Sequence, residues 1–248
     1  MKKFGVHSFL AVSALFFLCS LGPLKAYASP VNVSMDFVGV GGANSGGVYT
    51  YPYYFTVNGD PVSLMCVAYQ QEIYQSTPNE TWQATPTPIG TAIAIPTNNP
   101  IFTLTATQEE EDAYLDSVVL NPSSSALSNT VPLAQVVADA QWAAWEVGYP
   151  SLSSSFPSGL DDNGITFEYN AAVAFVNNSN TDFENDPGFY AGYELYVPED
   201  GTQSEGGLPQ TFIGPAPTPE PGSLVLLGTG LGLLAFAGAF YRRRRHTA

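Results

Sequence analysis

Between Ser29 and Ile213 the chain contains no lysine, no arginine and no histidine. All seven basic residues lie near the two ends, at Lys2, Lys3, Lys25, Arg242, Arg243, Arg244 and Arg245, and both histidines, His7 and His246, lie there too. That absence excludes a Ser-His-Asp triad, a Cys-His dyad, a Schiff-base lysine and a histidine-ligated metal from the region between. A cationic clamp for phosphates cannot be built, and no glycine-rich phosphate loop is present, so nucleotide chemistry is not expected. Side-chain salt bridges and Lys–Asn crosslinks within the region are impossible. All 22 acidic residues lie between Lys25 and Arg242, and the formal net charge of the chain is −15. Such self-repulsion favours solubility and makes nucleic acid and anionic membrane surfaces poor partners. A protein that is not an enzyme, with no cofactor and no metal, is the expectation. A hydrolase working through two carboxylates is the enzymatic alternative, but no motif selects the pair.

Cysteine is equally scarce, with only Cys19 and Cys66. Cys19 follows Phe17 and Leu18, where a lipoprotein site would need small residues, and reads as part of a signal peptide. Cys66 is then alone in the region after residue 28 and cannot form an intramolecular disulfide in an oxidising compartment.

What is present at the ends is targeting information. Lys2 and Lys3, an apolar run from Phe9 to Leu21, and Ala26-Tyr27-Ala28 make residues 1–28 a secretory signal with cleavage by signal peptidase after Ala28. Residues 223–241 form a second apolar run whose 19 residues, at about 1.5 Å each, nearly match a hydrocarbon core of about 30 Å. The arginines of the 242–248 tail hold that edge on the cytoplasmic side, so the preceding domain faces outward. Between domain and helix lies a Pro-rich linker, 214–222, carrying Pro219, Glu220 and Pro221. This order of Pro-Glu-Pro, short glycine-containing helix and arginine cluster resembles the PEP-CTERM sorting signal. The resemblance implies an exosortase-type sorting protease as partner. It also implies export across the inner membrane, a transient membrane anchor through the C-terminal helix, and release to the cell surface or an extracellular polysaccharide matrix.

Residues 29–213 suit one domain. Val31, Val33, Met35 and Phe37 alternate with Asn32, Ser34 and Asp36, as in a half-buried strand. The aromatic run from Val48 to Val57, Asn58-Gly59-Asp60 and the run from Val62 to Tyr69 read as a hairpin. Residues 76–100, with five prolines, read as extended loop with short strands, and late strands are expected at 190–197 and 210–213. A helical section lies between: one helix near 108–120 capped by Thr107, a second near 132–146 with Pro132 in its first turn, and a weaker third from Glu168 to Val176. The acidic run from Glu109 to Asp112 reads as the start of the first of these helices. The fold class is mainly β, a sandwich or barrel-like sheet, with a small helical section.

On the second helix Leu133, Val137, Gln141 and Trp145 fall in one row, so Gln141 sits on an apolar stripe and must find a partner for its amide. Leu64, Met65 and Val67 surround Cys66 and predict its burial, where a thiol can be a small inert hydrophobe. Gln141-Trp142-Ala143-Ala144-Trp145 resembles the Gln-x-Ala-x-Trp motif of thioester domains in bacterial surface adhesins, with Ala143 and Trp145 at the matched positions. Leu64-Met65-Cys66-Val67 is similar to their cysteine segment, although Ala68 stands where an acidic residue is frequent. The resemblance implies an internal thioester between Cys66 and Gln141 that an amine- or hydroxyl-bearing surface or matrix polymer could capture. An inert core cysteine in a noncovalent structural or carbohydrate-binding protein, and an intermolecular disulfide, remain alternatives on the residues alone. Two acidic segments, 161–164 with Glu168 and 182–186, offer oxygen atoms of the kind calcium takes but lack EF-hand spacing. Tyr49, Tyr51, Tyr53, Tyr54 and Phe55 are either sheet packing or a sugar-binding face.

Overall fold

The computed structural model describes residues 32–42, 44–69, 81–95, 102–178, 181, 185–199, 209–216 and 230–231. The expected signal peptide, the Pro-Glu-Pro motif, the arginine cluster and the apolar 223–241 run, apart from Gly230 and Leu231, lie outside them. No helix among the described residues is long and apolar enough to cross a membrane.

Six strands close into an antiparallel barrel: β1 (Val33–Val40), β4 (Tyr53–Val57), β5 (Asp60–Cys66), β6 (Thr81–Pro88), β9 (Tyr193–Pro198) and β10 (Phe212–Pro215). Around the barrel the order is β1-β4-β5-β10-β9-β6, so the last strand inserts between β5 and β9. Short hairpins β2–β3 (Asn44–Ser45 and Val48–Tyr49) and β7–β8 (Ile93–Ile95 and Phe102–Leu104) lie outside it. The alternation in β1 fulfils its pattern, with Val33, Met35 and Phe37 buried. After Phe37 the register shifts, leaving Val38 as the extra, exposed residue of a bulge. The β4–β5 turn takes positive φ at both Asn58 (52°) and Gly59 (93°), which is why the Asn-Gly pair closes this hairpin so tightly. Inside the barrel Phe55 meets Phe37, Trp82 and Phe212 at centroid distances of 5.4, 5.6 and 4.7 Å.

The expectation of loop and short strands over 76–100 is corrected by β6, an eight-residue barrel strand that contains Pro86 and Pro88. Gln83 O accepts a hydrogen bond from Glu199 N, so the odd-numbered positions of β6 turn their backbone toward β9. The two prolines therefore turn toward β1, whose pairing with β6 stops at Ala84, and no ladder bond is lost by their missing N–H groups.

Between β8 and β9 the chain forms the helical section. It comprises α1 (Ala106–Leu120), α2 (Leu133–Gly148), α3 (Asp162–Val176) and a single turn, α4 (Pro187–Tyr190), with 3-10 turns between. The cap of α1 is Thr105, not Thr107. Its hydroxyl accepts from Gln108 N while Gln108 Oε1 accepts from Thr105 N at 3.0 Å, a reciprocal box that Thr107, already inside the helix, cannot form. The third helix starts six residues before Glu168 because the Asp161 carboxylate accepts from Gly164 N at 3.1 Å and caps it. Gly164 also lets α3 approach α2 closely, since a Cβ there would stand 2.2 Å from Asp139 Oδ2. The two helices pack on α1, α1 packs on β10, and α2 packs on β5.

Candidate functional site

Cys66 is the last residue of β5, paired in register with Phe212 of β10, and the ladder continues through Val67 N to Thr211 O at 3.1 Å. Directly paired residues share a face of the sheet, so Cys66 belongs with Phe212 and Tyr53, whose rings meet at 5.5 Å on the barrel's inner face. Its side chain has no solvent exposure.

Gln141 reaches this point from the middle of α2. Only part of the predicted row is fully covered: Leu133 is exposed and Val137 half-buried at the helix start, while Gln141 and Trp145 are buried farther along. The Gln141 amide Nε2 donates to the backbone carbonyl of Cys66 at 2.6 Å. Its Oε1 is buried with no hydrogen-bond partner. The two residues that the sequence singles out, 75 positions apart, therefore share one buried pocket. Ala143 and Trp145 of the same motif are buried with them, and Tyr69 packs on Trp142 and Trp145 at 5.6 and 5.2 Å.

Burial pushes the Cys66 thiol up to about 12. The Trp145 indole and the Ala68 backbone N–H approach the sulfur and partly offset that cost, whereas the Asp112 carboxyl adds to it. Trp145 Nε1 has no conventional acceptor and is directed toward the polarisable sulfur. Burial thus holds the thiol in its protonated form and shields it from solvent, and the amide bound to its own backbone carbonyl keeps one unused oxygen.

The acidic start of α1 conceals groups that the helix dipole alone does not explain. Glu109, Asp112 and Asp116 are wholly buried, and Glu111 nearly so. Glu109 Oε2 accepts from Gly90 N and Thr91 N at 2.9 and 3.0 Å, closing the loop after β6 onto α1. Neither oxygen of Asp112 or of Asp116 has a hydrogen-bond partner. Burial holds both well above the usual carboxylate range, with neighbouring acidic groups adding to the effect at Asp112. Burial likewise raises Glu109, Glu111 and Asp139 to about 7. A signal existed: 109, 112 and 116 recur at helical spacing, which puts them on the face that packs inward.

In the two segments with calcium-type oxygen atoms, three of the described acidic groups have structural partners. Asp161 caps α3, Glu168 accepts from the Ser125 hydroxyl, and Asp186 caps α4. Among the described residues no group of three carboxylate, thiol or imidazole side chains is arranged to hold a metal ion. The aromatic run does not form one face: Tyr53 and Phe55 point inward, while Tyr49 and Tyr54 are exposed.

The chain matches no protein-family model, no curated protein and no solved structure.

Proposed function

We propose that this chain is an exported cell-surface or extracellular-matrix protein, sorted through its Pro-Glu-Pro and arginine-flanked tail, that attaches to its target covalently through a Cys66–Gln141 thioester. The observation that carries this reading is the 2.6 Å bond from the Gln141 amide to the Cys66 carbonyl, with Gln141 Oε1 unpartnered in the same buried pocket. Covalent geometry keeps a cysteine sulfur within about 5 Å of its own carbonyl, so the thiol belongs to the same neighbourhood as the amide, and bond formation requires the two side chains to turn toward each other. In the reaction the Cys66 sulfur attacks the Gln141 amide carbon, the C–S bond forms and the C–N bond breaks. The thiol proton joins the leaving nitrogen, and ammonia departs. An external amine or hydroxyl then attacks the same carbon, forming an amide or ester at position 141 and restoring the thiol. Burial protects the activated acyl group from water until a partner enters. The lack of lysine between residues 29 and 213 supports the same reading, because no side-chain amine of the domain competes for it.

Intact mass tests the proposal. Thioester formation removes about 17 Da as ammonia, and methylamine then adds about 31 Da. A mass that carries no deficit and does not respond to methylamine, in wild type as in Cys66→Ala, excludes it.

A second reading has its own support: burial raises the Cys66 thiol to about 12, and a carbonyl-bound core glutamine also satisfies a purely structural role. The protein would then be a noncovalent matrix or carbohydrate-binding protein, with exposed Tyr49 and Tyr54 available to sugar rings. Glycan affinity that survives Cys66→Ala, together with a full-length mass lacking the deficit, selects this alternative.

A further inference from the structure

Thioester formation poses a proton problem in a pocket without histidine or lysine. The thiol must lose a proton and the departing nitrogen must gain one, and either charged intermediate is expensive away from water. A buried group able to give a proton and take one in the same step removes both charges.

We propose that Asp112 is that proton relay, a role that rests on the thioester reading above. Asp112 lies on α1, which packs against α2, the helix of Gln141, and against β10, the strand paired with Cys66. Its side chain is fully buried, and both carboxyl oxygens lack a partner. Of the two such carboxyls on α1, Asp112 is the one whose charge, if formed, would raise the Cys66 thiol, whereas a charge on Asp116 would raise the phenols of Tyr51, Tyr193 and Tyr196.

Burial, and after it the nearby Glu111, Glu109 and Asp116, raise the carboxyl well above its usual range and so favour its neutral form. A neutral carboxyl carries an O–H donor on one oxygen and an acceptor on the other. As sulfur attacks the Gln141 amide carbon, the Asp112 O–H passes its proton to the amide nitrogen. The other oxygen takes the proton from the thiol. The C–S bond forms, the C–N bond breaks, ammonia leaves, and Asp112 ends as it began, neutral with its proton on the opposite oxygen. No net charge develops along this route, which suits a thiol that resists ionisation.

The test is a time course of intact mass on the full chain made by cell-free synthesis, comparing wild type, Asp112→Asn, Asp112→Glu and Asp116→Asn. Asp112→Asn, almost isosteric and uncharged, is expected to slow appearance of the 17 Da deficit by about 100-fold or more, the usual scale of general acid–base catalysis. Asp112→Glu restores part of the rate, and Asp116→Asn keeps it within a few-fold of wild type. The slowing of wild-type formation in deuterium oxide is expected to change in Asp112→Asn, an effect that a purely structural role does not predict. Near-UV circular dichroism reports whether Asp112→Asn folds, and Asp112→Ser takes its place in the same time course if it does not. A folded Asp112→Asn or Asp112→Ser chain that forms the thioester at the wild-type rate overturns the relay. A wild-type chain without the deficit overturns the thioester reading, and the relay with it.

Discussion

The amide of Gln141 and the carbonyl of Cys66 are joined at 2.6 Å across the seam between a helix and the end of a barrel strand. One bond thereby ties α2 to the end of β5. Hydrolysis of a thioester at this site would leave a glutamate side chain at position 141, so the Gln141→Glu variant is the chemical equivalent of the spent protein. Its carboxyl must hold a proton to replace the donor that faces the Cys66 carbonyl. We predict that Gln141→Glu shows no ammonia loss and is less stable by about 1 to 3 kcal/mol at neutral pH, the cost of a disrupted buried hydrogen bond. Urea unfolding checks the second outcome, and the loss should shrink as the medium is acidified toward the carboxyl's protonated range.

The buried acidic face of α1 gives the protein an unusual pH response. Glu109, Glu111 and Asp139 rise from ordinary values of 4.5, 4.5 and 3.8 to about 7, and burial raises Asp112 and Asp116 as well. A carboxyl whose folded value lies above its unfolded value binds more protons in the folded state, so stability falls as pH rises between the two. That contribution is complete below about pH 4 and is lost as pH climbs through about 7. Self-repulsion of the acidic chain acts in the same direction. The expected outcome is a lower melting temperature at about pH 8 than at about pH 5, with a loss on the order of 1 to 3 kcal/mol after solvent screening. Calorimetry that finds stability rising over this interval contradicts the burial of these groups.

The turn of the β2–β3 hairpin lies against Trp142 of the helix that carries Gln141. Its turn residue Gly46 takes φ +63°, and a Cβ there would stand 2.7 Å from Trp142 Cζ2 and 3.1 Å from Leu160 Cδ2. Gly46→Ala must lift the hairpin or displace the ring, in a backbone conformation that alanine itself disfavours. A destabilisation of about 1 to 2 kcal/mol is expected, together with faster methylamine capture because the pocket opens more often. Unchanged capture in a destabilised variant would show that nucleophiles enter from another side.

How much of this is legible in the sequence depends on whether the pattern is local. The alternation of Val33, Met35 and Phe37 marks the buried face of β1, and Asn58-Gly59 supplies the turn that its positive φ values require. The helical row brings Gln141 inward, where its amide meets the backbone carbonyl of Cys66. Closure into a barrel is not separable from a sandwich, because it depends on β10 entering between β5 and β9 from more than 100 residues away from β5. Pro86 and Pro88 disguise β6, since their tolerance follows from which neighbour stops at Ala84. The acids of α1 are hidden by a rule that usually works: carboxylates in a first turn favour the helix dipole whether or not they face water. Only packing against α2 and β10 turns Asp112 from a helix-start residue into a buried, unpartnered group.

Capping of α1 governs where that group sits. Thr105 and Gln108 satisfy each other's backbone N–H groups, and Gln108 Nε2 also donates to Val147 O at 2.6 Å, which ties the start of α1 to the end of α2. Thr105→Ala removes one half of the box and should cost about 1 kcal/mol, the ordinary loss for an N-cap. Gln108→Ala removes the other half and the link between helices, and is expected to cost about 1 to 2 kcal/mol. Since α1 holds Asp112 and α2 holds Gln141, only the second variant loosens their mutual placement. Thr105→Ala should therefore lower stability while leaving the rate of ammonia loss nearly unchanged, and Gln108→Ala should lower both. Equal rates in the two variants would mean that the Val147 link does not set the position of the carboxyl, and that packing of the helix faces alone holds it there.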